Sequence, residues 1–112
     1  MEEIDRRIGA RSAARLLGDW RPPDGRGLTD ALADRVRLLI LDGRLPLQTR
    51  LPAERELAGA LGVSRTTVAA AYEALRGAGM LHSRRGAGSW TQLDPRTPVV
   101  IGLYPMRPVA RT

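Results

Sequence analysis

The chain has no cysteine and no phenylalanine. It has no lysine either, because every one of its 18 basic residues is arginine, and it has one histidine, His82. Without cysteine there is no thiolate nucleophile, no disulfide framework and no cysteine-based zinc cluster. Without lysine there is no amine to form a Schiff base with a carbonyl substrate or cofactor. No apolar run approaches the roughly 20 residues that cross a bilayer as a helix. The acidic start, MEEIDRRIG, lacks the basic flank and apolar block of a secretion signal. These absences lead us to expect a cytoplasmic protein with no membrane partner, no bound metal and no cofactor.

What is present is mostly positive charge. Against 18 arginines stand 12 acidic residues, a formal net charge of +6 over 112 residues. A surplus of that size favours a polyanionic partner. The length suits one compact domain with short appendages.

Periodicity and breakers divide the chain into three. In residues 1–27, an N-terminal arm, SAARLLGDW places Ala13, Leu16, Leu17 and Trp20 at helical spacing. This predicts a short helix over 12–20 with Ser12 as N-cap, docking on this domain or on a second subunit. The arm ends at RPPDGRG, where prolines and glycines stop any helix. From Leu28, the residues Leu28, Leu32, Val36, Leu39 and Ile40 share one face of a helix expected to end at Asp42-Gly43. Thr49 to Leu51 reads as a short edge strand between prolines.

A helix is then expected from Pro52 to Gly62, with Pro52 in its first turn and Glu54 and Glu56 near its positive end. Gly62-Val63-Ser64 separates it from a helix over Arg65 to Arg76 whose inward face is Val68, Ala71, Tyr72 and Leu75. Tyr72 belongs to the core, with its hydroxyl expected at the surface. MLHSRRGAGSWTQL reads as a hairpin with its tip at Arg85 to Gly88, and His82 as an exposed strand residue. Residues 94–112 form a proline-rich tail whose apolar run, Val99 to Tyr104, is open to a strand, a docking peptide or no order.

Two helices joined by a short glycine-containing turn, the second capped by serine and followed by a hairpin, make a helix-turn-helix with a wing. The expected fold is therefore mainly α: a winged helix-turn-helix with a three-helix core, a β-hairpin wing and an extra N-terminal helix. In such a fold the first residues of the second helix reach base edges, so they must be polar and exposed. Ser64 caps, Arg65, Thr66 and Thr67 project, and Val68 is the first buried anchor. Arg65 suits a bidentate contact to guanine, worth roughly 1–3 kcal/mol of discrimination.

Over Leu28 to Leu93, and above all in LPAERELAGALGVSRTTVAAAYEALRGAGML, the sequence resembles the GntR family of bacterial transcription regulators. The resemblance implies binding of double-stranded DNA, at a palindromic operator, by a homodimer. Carried over position by position, it implies DNA contacts from Arg55, from Arg65, Thr66 and Thr67, and from Arg85 and Gly86 in the wing, with Ser64 and Arg84 as further candidates. Arg55 would grip phosphate, and Arg85 would reach the minor groove or the backbone. Ala53 stands where many relatives have a capping serine, and Ala69 where many carry a polar residue facing DNA.

The alanines Ala69 to Ala71 and the LLGDW arm are similar to the MocR-type branch. Its members join this module to an aminotransferase-like domain that binds pyridoxal phosphate. No such domain and no small-molecule effector site is recognisable here, which leaves a stand-alone binder or a truncated fragment as expectations. A winged helix that binds protein instead of DNA is the competing reading, since one fold serves several functions. An enzyme is not expected: there is no nucleophile-base pair, and the glycines at 86 and 88 follow a strand but open no helix.

Overall fold

A computed structural model describes residues 6–93. Along the chain these are β1 (Arg6–Arg7), α1 (Ala10–Leu17), α2 (Leu28–Leu41), β2 (Thr49–Arg50), α3 (Glu54–Leu61), α4 (Arg65–Gly77), β3 (Leu81–Arg84) and β4 (Gly88–Thr91). The strands form one sheet in the order β1-β2-β4-β3. β1 runs parallel to β2, and the other pairs are antiparallel. The expected architecture is the one observed: helices packed on a small sheet, with a wing.

One apolar cluster joins all the helices. Leu32, Val36, Leu39 and Ile40 of α2 meet Leu57 and Ala58 of α3 and Val68, Ala71, Tyr72 and Leu75 of α4. Ala13 and Leu17 of α1, and Trp20 beyond it, belong to the same cluster. The described part of the N-terminal arm is thus integral to this core, not a separate element.

Local differences from the expectations have identifiable causes. α1 begins two residues earlier than predicted, at Ala10, where the Gly9 carbonyl accepts from the Ala13 amide at 2.9 Å. Ser12 lies inside the helix and caps nothing. The helix stops before Trp20 because Gly18 turns left-handed, at φ +63°. The Arg35 guanidinium then donates to the Leu17 carbonyl at 2.6 Å and to that of Asp19 at 3.3 Å, which satisfies acceptors the helix end leaves open.

β2 is not an edge strand, because Arg6 and Arg7 pair along its other side. α3 begins at Glu54, not Pro52, and the Ala53 carbonyl receives its first helical bond, from the Leu57 amide at 3.0 Å. Pro52 is instead buried with its carbonyl turned to the Tyr72 hydroxyl, which donates to it at 2.6 Å. The Tyr72 hydroxyl is therefore inside, not at the surface. Burial, and secondarily the Glu54 carboxylate, hold its pKa well above the ordinary 10.0. The run Val99 to Tyr104 lies outside the described residues.

Candidate nucleic-acid interface

The turn between α3 and α4 is built from backbone chemistry. Gly62 closes α3 in the left-handed conformation at φ +72°, and its amide donates to the Ala58 carbonyl at 2.9 Å. The Arg21 guanidinium, arriving from the N-terminal arm, donates to the carbonyls of Leu61 and Gly62. Ser64 then caps α4, its Oγ accepting from the Thr67 amide at 3.1 Å. A helix start with a serine cap needs no further side chain to satisfy that amide, so the neighbouring residues are left to face outward.

Arg65 and Thr66 are exposed. Neither side chain has a hydrogen bond or ion pair among the described residues. Thr67 differs: it is half-buried, and its hydroxyl lies 3.0 Å from the Ser64 Oγ. Its oxygen therefore serves the cap. Val68, at 0% exposure, fixes the helix to the core directly behind these residues.

Arg55, in the first turn of α3, is also exposed and has no ion pair among the described residues. The structural pairing with Glu54 or Glu56 that would occupy it is absent. At the wing tip the Ala87 amide donates to the Arg84 carbonyl at 2.9 Å, and Gly86 takes φ +73°. This is a β-turn whose third position requires positive φ, and glycine supplies it without strain. Arg85 and Gly86 are exposed at that tip.

Arg84 is not merely solvated. Its guanidinium sits 4.8 Å from the centroid of Trp90, and that of Arg50 sits 5.6 Å from it. His82 is half-buried and stacks on the same indole, ring centroids 5.9 Å apart. Gly88 makes room for this: a Cβ there would fall 2.7 Å from the Arg50 Nε. The strand alternation that puts His82, Arg84 and Trp90 on one face was visible in the sequence, but Arg50 lies on a third strand, beyond the hairpin's own pattern.

The described residues contain no group of histidines and carboxylates that could hold a metal ion, and no helix long and apolar enough to cross a membrane. The structure leaves exposed an arginine and a threonine at a capped helix tip, a second arginine in the helix before it, and a third on a glycine turn.

Comparison with known proteins shows the family. Residues 28–90 match the model of the bacterial regulatory proteins of the gntR family. The "HTH-type transcriptional regulator Rv1152" of Mycobacterium tuberculosis is 41% identical over 83 residues, which cover 70% of this chain and 69% of that protein. The "Probable rhizopine catabolism regulatory protein MocR" of Rhizobium meliloti is 47% identical over 64 residues, 57% of this chain but 13% of that much longer protein. Among solved structures, a GntR-family regulator from Pseudomonas syringae pv. tomato superposes with a TM-score of 0.62 at 30% identity, over 76% of this chain and 36% of that one. The DNA-binding domain of AraR, solved in complex with its operator ORE1, superposes with a TM-score of 0.54 at 28% identity, over 58% of this chain and 79% of that one. The chain belongs to the GntR family of bacterial transcription regulators and carries that family's winged helix-turn-helix DNA-binding domain.

Proposed function

We propose that this chain reads a palindromic operator as a homodimer in the cytoplasm, each copy placing α4 in the major groove of one half-site. Residues 28–93 form the reading unit, and the segment before them braces it. Arg65 hydrogen-bonds a guanine edge, Thr66 contacts phosphate or a thymine methyl, and Thr67 offers its methyl while its hydroxyl completes the Ser64 cap. Arg55 grips phosphate. Arg85 enters the minor groove or pairs with its backbone, and Gly86 lets the main chain approach the sugar-phosphate closely. Arg84, held against Trp90, adds positive charge beside the tip.

The observation that carries this reading is the start of α4. Ser64 satisfies the helix internally, while Arg65 and Thr66 stand exposed with no hydrogen bond or ion pair among the described residues. A guanidinium left unpaired in this way retains its full fork of donors for a base or a phosphate.

Selection of bound sequences from a random duplex pool, run with wild type and Arg65→Ala at two salt concentrations, tests it. We expect an enriched inverted repeat with wild type, and loss of sequence preference with weak salt-sensitive binding retained in the variant. Operator selection unchanged by Arg65→Ala would refute the assignment of that residue. Binding erased by salt with no enriched motif would refute sequence reading and favour a protein-binding winged helix.

A further inference from the structure

Arg76 lies in the last turn of α4, at the opposite end of the helix from Arg65. Its Nη1 donates to the Ser83 Oγ at 2.9 Å and to the Ser89 Oγ at 3.3 Å. Those hydroxyls lie 3.0 Å from each other, on residues that face one another across the β3-β4 ladder. The far side of the same guanidinium is fixed, with Nη2 and Nε 3.0 and 3.2 Å from the Glu73 Oε1. A planar fork held this way has its direction set by the helix and transmits that direction to the strands.

The position of the bracket along the wing matters. The base of the hairpin is anchored by buried side chains, Met80, Leu81 and Thr91. Beyond them Ser83 and Arg84 are exposed and Ser89 is half-buried; there β4 is tied to the β2 side by the Leu51 amide, which donates to the Ser89 carbonyl at 2.9 Å, and by Arg50 against Trp90. One register pair past Ser83 and Ser89 come Arg84 and Gly88, and then the tip. The polar bracket ties the same stretch of both strands to α4, just before the tip begins.

From this geometry we propose that Arg76 is a positioning residue: it sets the angle of the wing against the recognition helix, so that the wing tip and the start of α4 engage one duplex together. The inference rests on the DNA-reading function proposed above. Arg76 itself contacts no base. Its contribution is that the wing is held in place before binding, so that little ordering remains to be done on the duplex.

The test is a double-mutant cycle on the selected operator, with Arg76→Met, Arg85→Ala and the two combined. A second variant, Ser83→Ala with Ser89→Ala, removes the acceptors but keeps the Arg76 charge. Arg76→Met is expected to weaken operator binding by about three- to tenfold through lost preorganisation. In the Arg85→Ala background, where the tip no longer engages, the same change should cost less than about twofold. The serine variant should reproduce the loss of Arg76→Met, and the bases preferred by α4 should not change in any of them. Circular dichroism and thermal melting of each variant give the folded fraction, to which affinities are referred.

Additive losses from Arg76 and Arg85 would overturn the proposal, because they would mean that Arg76 acts without the wing tip. Wild-type affinity in the serine variant would overturn it too, by showing that the charge and not the bracket matters. A wild-type chain that selects no sequence would overturn the DNA-reading function and this inference with it.

Discussion

Tyr72→Phe removes one oxygen atom and, with it, the donor that satisfies the Pro52 carbonyl. Both residues are buried, and the bond between them is 2.6 Å long. Deleting a donor while leaving its acceptor inside costs more than an average hydrogen bond, so we expect about 1–2 kcal/mol of lost stability at neutral pH. In a domain of this size that lowers the melting temperature by roughly 5–10 °C.

The pH dependence is the sharper part. The folded Tyr72 has a pKa above its ordinary value of 10.0, so at higher pH the unfolded chain gives up its phenolic proton first. Its stabilisation is complete below pH 10.0 and is lost as pH rises beyond that value. At about pH 11.5, with the folded phenol still neutral, roughly 2 kcal/mol has gone. The phenylalanine variant has no such loss. Urea denaturation of both proteins from neutral pH to about pH 11.5 should therefore show a gap that closes as the medium becomes alkaline. Because the chain has no lysine, its other alkaline titration is confined to Tyr104 and the terminal amine, which both proteins share. A gap that stayed constant through this range would refute the reasoning, since it would mean that Tyr72 titrates alike in the folded and unfolded chains.

Two further outcomes follow from the same structure. Arg55→Ala should weaken binding to all duplexes alike and reduce the slope of log affinity against log salt by about one, as expected for a lost phosphate contact; a change in the preferred bases would contradict that role. Gly62→Ala should destabilise by about 1–2 kcal/mol, because its left-handed φ of +72° penalises a Cβ, while the nearest atom the Cβ would meet, the Arg21 Nη2 at 3.5 Å, is in ordinary contact. Gly62→Asn should cost less, since asparagine visits that conformation more readily, and equal costs in denaturation would point to crowding instead.

The winged helix-turn-helix was legible in the sequence because its signals are local. The apolar spacing of α2 and α4, the glycine after α3 and the serine before α4 each act within a turn or two of themselves. Arg55, Arg65, Thr66, Arg85 and Gly86 are all exposed, as a binding role requires. What was not legible depends on partners distant in sequence. Ser12 has the chemistry of a cap, but α1 begins at Ala10 and ends where Arg35, 18 residues beyond Leu17, takes up its last carbonyl. Pro52 suits a first helical turn, yet its carbonyl is held by a tyrosine 20 residues later. β1 is a pair of arginines with no alternation to read, and it turns β2 from an edge strand into an interior one. The bracket at Arg76 needs two strands and a helix end to exist before it can be seen.

An all-arginine chain divides its cations by the partners they find. Arg21 spans the carbonyls of Leu61 and Gly62, and Arg35 spans those of Leu17 and Asp19. Arg76 spans two serine hydroxyls, and Arg50 and Arg84 lie against the face of Trp90. Each task uses the plane or the fork of the guanidinium, which an ammonium lacks. Arg55, Arg65 and Arg85, like Arg11, Arg15 and Arg26, find no side-chain hydrogen bond or ion pair among the described residues. The same chemical group thus serves as mortar in one set of positions and, in the proposed function, as probe at Arg55, Arg65 and Arg85. The two uses depend on each other: a long side chain can present its fork to a duplex at a defined place only if the turn, cap or strand pair that carries it is rigid, and here Arg21 and Arg76 supply that rigidity at the helix-turn-helix turn and in the wing.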